Sequence, residues 1–125
     1  MRDRRQPTDA ELGILQVLWS RGASTVREVA ETMGREDAYT TVLKLLQIMI
    51  AKGIVRRNET QRAHVYQAGL PAEQTKRQLA GDVLERVFAG SASELMMHAL
   101  AGKRASRAEI DDLRRLLDEY ERNRR

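Results

Sequence analysis

Three times this chain writes the same signal for the start of a helix: Thr8-Asp9-Ala10-Glu11, Thr25-Val26-Arg27-Glu28 and Ser106-Arg107-Ala108-Glu109. In such a capping box the hydroxyl accepts a backbone N–H three residues on, and the glutamate reaches back to the N–H of the capping residue. Helix starts are thereby pinned at both ends of the chain. Behind the first box Leu12, Leu15, Leu18 and Trp19 recur at helical spacing, and Arg21-Gly22 closes the element. The second opens a short helix carrying Val26, Val29, Ala30 and Met33, ended by Gly34. Ala23 and Ser24, between the two, have room for one short extended segment.

Arg35-Glu36-Asp37 reads as a polar turn, and residues 39–52 as a third helix with Gly53 as its terminator. Val42, Leu45, Leu46 and Met49 form its buried stripe. The opposite face holds Thr40, Lys44, Gln47 and Ala51, flanked by Thr41, Leu43 and Ile48. That face is small and polar, with one cation and no carboxylate. From Ile54 the period changes. Residues 54–57 and 63–66 are two β-prone runs around the polar loop Asn58-Glu59-Thr60-Gln61, which predicts a hairpin without a turn dipeptide to fix its register. After Leu70-Pro71 come three more helical stretches, at about 72–89, 91–100 and 107–122.

The order helix, short extended piece, helix, turn, helix, hairpin is that of a winged helix-turn-helix, in which the helix after the turn enters the major groove and the hairpin reaches the flanking backbone. A helix that enters the groove needs one apolar face for its scaffold and one face of short or donor-bearing side chains for base edges. Carboxylates there would be repelled by phosphate. Tyr39, Thr40, Thr41, Lys44 and Gln47 are therefore the candidate reading residues, and Arg56, Arg57, Arg62 and His64 the candidate wing contacts. Charge agrees: of a net +4, the residues through Tyr66 hold 11 basic against 8 acidic groups and the remainder 11 against 10, so +3 lies in the first half and +1 in the second. Winged helices also dock proteins, so a protein-interaction module without DNA binding is the alternative reading.

Hydrophobic residues at 42% and charged ones at 32% of 125 residues supply a core and argue against disorder. The absence of cysteine excludes disulfides, thiolate metal sites and cysteine nucleophiles. No Gly-rich phosphate loop or H-E-x-x-H spacing occurs, and His64 and His98 stand in separate elements. The expectation is no enzyme, no metal and no cofactor. No apolar run approaches the ~18 residues of a membrane span, and no signal-peptide core follows Met1-Arg2-Asp3-Arg4-Arg5, so a soluble, cytoplasmic protein is expected.

Three pieces carry a resemblance: residues 39–46 (Tyr-Thr-Thr-Val-Leu-Lys-Leu-Leu), 52–57 (Lys-Gly-Ile-Val-Arg-Arg) and 62–66 (Arg-Ala-His-Val-Tyr). Together with Leu12 through Trp19 and the Phe88-Ala89-Gly90-Ser91 junction, they resemble the BlaI/MecI/CopY-type penicillinase-repressor family over about residues 7–120. The resemblance implies a homodimeric repressor that binds a palindromic operator through its winged head and dimerises through its C-terminal helices. By position, Thr40, Thr41 and Lys44 would face the groove, and Arg56, Arg57 and Arg62 would belong to the wing. At Ile48 many family members carry Arg, so a backbone or guanine contact made there is missing. Antibiotic-responsive relatives are cleaved in the penultimate helix after a membrane sensor-protease signals. His98-Ala99 occupies that position here and does not match their Asn-Phe, which argues against a regulatory protease as partner. Copper-responsive relatives use C-terminal cysteines, which this chain lacks.

The fold class expected is mainly α with a small β wing: a winged helix-turn-helix head over 7–69 and a helical dimerisation region over 70–125. The C-terminal stripes supply the candidate dimer interface: Leu79, Val83, Val87 and Phe88, then Leu95, then Ile110, Leu113, Leu116, Leu117 and Tyr120. In the last helix, 110, 113, 117 and 120 follow coiled-coil spacing, and the outer face is charged.

Overall fold

A computed structural model of the chain describes residues 6–60 and 62–124, with only the backbone of Glu36. The charged run over residues 1–5 and one residue of the expected hairpin loop, Gln61, lie outside the described residues.

Capping sets the first two helices. Thr8 Oγ1 accepts the Glu11 N–H at 3.2 Å and Glu11 Oε1 accepts the Thr8 N–H at 3.0 Å, opening α1 (Asp9–Arg21). Thr25 and Glu28 repeat the arrangement at 3.1 and 2.9 Å for α2 (Val26–Thr32). The expected polar turn is a short 3-10 helix, Glu36–Ala38, which leads directly into α3 (Tyr39–Lys52). Gly53, left-handed at φ 81°, stops α3 and turns the chain into the hairpin.

The hairpin comprises β1 (Val55–Asn58) and β2 (Val65–Ala68), antiparallel, with Val55 opposite Ala68 and Asn58 opposite Val65. Both strands begin later in the chain than the β-prone runs, and Ala63 and His64 fall in the connecting loop instead of in β2. Two bonds explain the offset. Ile54 is committed to the end of α3, its N–H donating to Met49 O at 3.0 Å. Tyr66 exchanges both backbone bonds with Ser24, at 2.9 and 2.7 Å, which makes it the centre of the sheet. The segment between α1 and α2 thus adds a one-residue third strand. Gly69 closes the wing: its N–H donates to Ile54 O at 2.8 Å, and a Cβ there would stand 3.1 Å from the Ile54 carbonyl carbon.

The core lies where α1, α2 and α3 meet the base of the hairpin. Ile14, Leu15, Leu18, Val29, Leu46, Met49, Ile54 and Tyr66 are its largest members. Trp19 seals one edge by donating its indole N–H to Leu70 O at 2.9 Å.

The chain divides into two compact units, the first through Arg77 and the second from Gln78, so that α4 (Ala72–Phe88) begins in one and ends in the other. The second unit continues with α5 (Ala92–Ala101) and α6 (Arg107–Asn123). Between α4 and α5 the backbone is left-handed at Ala89, φ 49°, and at Gly90, φ 85°. The third capping box is only half formed: Ser106 Oγ accepts the Glu109 N–H at 3.1 Å, but the Glu109 carboxylate is drawn to Lys103 Nζ at 2.9 Å. Among the described residues no helix is long and apolar enough to cross a membrane.

Candidate nucleic-acid interface

Each residue of α3 advances about 100° around its axis. Val42, Leu46 and Met49 point into the core. Gln47, Thr40, Ala51, Lys44, Ile48 and Thr41, in that angular order, occupy an exposed arc of about 120° on the opposite side. Lys44 stands at its middle. The expected reading face is thus one continuous exposed surface, without a carboxylate.

Along one edge of this arc runs an open groove of about 460 Å³. Tyr39, Leu43 and Gln47 form one wall, and Arg57, Arg62, Ala63 and His64 of the wing form the other. The strand register explains which wing residues reach it. Arg57 shares a ribbon face with Val55 and lies opposite buried Tyr66, so it turns toward the head. Arg56, opposite Gln67, turns the other way and does not line the groove. Adjacent arginines in the sequence therefore serve different surfaces. His64 lines the groove from the loop, with no cluster of possible metal ligands among the described residues.

Arg27 was not singled out by sequence reasoning, yet it lines the groove beside Thr25 and Val26. Its signal was available: a cation in the first turn of the helix that precedes α3. The nearby carboxylates are occupied. Glu28 accepts the Thr25 N–H and pairs with Arg21; the Thr25 bond first, and Arg21 second, hold its pKa below the ordinary value. Glu59 pairs with Arg57 on the wing itself. Among the described residues the groove lining contains no acidic side chain.

A second surface lies in the C-terminal unit. Every large apolar side chain buried among the described residues belongs to positions 14–66. Val83, Val87, Leu116, Leu117 and Tyr120 are exposed, Val87 and Leu117 at 67% each. Leu79, Phe88, Leu95, Ile110 and Leu113 are half-buried. The exposed Met96, Met97 and Leu100 of α5 extend this apolar surface beyond the residues expected from the sequence. His98 packs on Phe88 with ring centroids 5.6 Å apart, which explains it without a ligand.

A head of three helices with a small wing, joined to a helical unit, defines the winged helix-turn-helix class with a C-terminal extension. Residues 7–119 match the penicillinase repressor family. A penicillinase repressor of Bacillus licheniformis is 23% identical over 117 residues, covering 92% of this chain and 91% of that protein. The transcriptional regulator BlaI of Mycobacterium tuberculosis is 34% identical over 117 residues, covering 90% and 83%. The chain belongs to the penicillinase repressor family; it is a transcriptional regulator and not an enzyme.

Proposed function

We propose that the chain is a homodimeric, cytoplasmic repressor in which the head over 7–69 reads a palindromic operator and the region over 70–125 joins two copies. The observation that carries the reading is the acid-free exposed arc of α3 beside a groove lined by Arg27, Arg57, Arg62 and His64. Thr40, Thr41, Lys44 and Gln47 supply hydrogen bonds to base edges, with Gln47 suited to adenine. Tyr39 flanks them at the start of the helix. The groove arginines and Arg56, on the other ribbon face, take phosphates on either side of the wing. Two such heads about a two-fold axis address half-sites one helical turn (about 34 Å) or a multiple apart, and repression follows by occlusion of polymerase.

Selection of bound sequences from a random DNA pool, followed by titration of the winner at several salt concentrations, tests the proposal. An inverted repeat and a steep fall of log affinity with log salt are expected. A flat salt dependence, with no enriched sequence, would favour a protein-docking module and end the DNA reading.

A further inference from the structure

In the head, through Arg77, only two large apolar side chains among the described residues are exposed: Tyr39 at 44% and Ile48 at 41%, both on α3. Tyr39 has the groove wall to account for it. Ile48 does not line that groove. It sits about 40° around the helix from Lys44 and about 20° in projection from Thr41, inside the exposed arc. The arc is otherwise small or polar, and the part of Ile48 that stays in water there is a local cost that contact with a partner would remove.

The floor of the major groove offers one apolar group that such a side chain can cover, the C5-methyl of thymine. Isoleucine has no donor or acceptor, so it cannot read guanine, cytosine or adenine by hydrogen bonding. Its position beside Lys44 and away from the wing places it over a neighbouring base step once α3 lies in the groove. Resting on the DNA reading above, we propose that Ile48 is a specificity-determining residue that selects thymine at one position of each half-site by packing on its methyl group. The chain then distinguishes T·A from C·G at that step by shape and hydrophobicity, while Thr40, Lys44 and Gln47 specify the others.

The experiment replaces each thymine of the selected operator by deoxyuracil, one symmetric pair at a time, which deletes only the methyl. Wild-type protein should lose about fourfold in affinity per methyl at one position. Ile48→Ala should bind the parent operator more weakly and be indifferent to uracil at that position, while keeping its response at the others. Ile48→Arg should move the preference there toward guanine. Equal uracil profiles for wild type and Ile48→Ala, or no uracil-sensitive position in an operator that wild type binds tightly, overturns the assignment and leaves the DNA reading standing. A wild-type chain that binds no duplex overturns both.

Discussion

Glu11 does two jobs with one carboxylate. It completes the cap of α1 and accepts a bond from Lys52 Nζ at 2.7 Å, tying the start of α1 to the end of α3. Only 1% of the residue is exposed, against 26% of the Lys52 side chain. Burial by itself pushes the carboxyl pKa up, but Lys52 and the Thr8 N–H together outweigh it and hold the value below the ordinary 4.5. A depressed folded value means stability that is complete above about pH 4.5 and lost as pH falls through the folded value. Lys52→Met, which leaves a buried acceptor charge short of a donor, should destabilise the head by about 2 kcal/mol in urea titrations followed through Trp19 fluorescence. Glu11→Gln should flatten the acid limb of the pH–stability curve; an unchanged limb would show that the pair does not govern it. On the reading face, Thr40→Ala with Lys44→Ala should relax operator selectivity by about 1–3 kcal/mol per lost base contact. Gel-shift competition between operator and mixed DNA measures it, and an unaltered ratio would refute the groove assignment.

The wing shows how far local sequence carries an element and where it stops. The helix starts are written in Thr8, Thr25 and their glutamates because a cap is decided within four residues. The strand register is not local: it is decided by Tyr66 bonding to Ser24, about 40 residues earlier, and by Gly69 closing on Ile54. The same distance dependence hid the division of labour between Arg56 and Arg57, which differ only in the ribbon face that the register assigns them. Glu109 fails as a capping residue because Lys103, just outside the four-residue cap, competes for it. The wing also holds an ion pair of its own. Glu59 holds Arg57, and both lie on a solvated hairpin in which Asn58 Oδ1 accepts the Thr60 N–H at 2.9 Å. On the proposed DNA reading, Glu59→Gln frees that cation and removes a charge that would face phosphate. Affinity for random DNA should rise and the log–log salt slope should steepen by up to about one unit. Arg57→Ala should do the reverse for all sequences alike. Identical slopes for the two variants would remove Arg57 from the interface.

For the whole molecule the question is why the second unit folds with so little of its apolar surface covered. A domain of about 60 residues buries only about 60% of the surface its unfolded chain exposes, and this unit is shorter still and has no cysteine to staple it. None of its large apolar side chains reaches the burial of the head core. On the proposed reading, covering Val87, Leu117 and Tyr120 with the same residues of a second copy would remove the deficit, and a two-fold axis is the simplest way to do it. Leu117→Glu is the sharp test. The side chain is 67% exposed in the single chain, so a charge there leaves the head core untouched. In the proposed dimer it would place two carboxylates in an apolar seam. Sedimentation should show the variant as a monomer, and its melting temperature should stop rising with protein concentration, as the wild type's should not. Linking two heads is worth about 10²–10⁴ in avidity, so operator affinity should fall by at least two orders of magnitude. Binding to an isolated half-site should stay near wild type, because the reading helix is unchanged. A variant that remains dimeric would move the interface elsewhere on the unit, with exposed Met97 of α5 the next residue to charge.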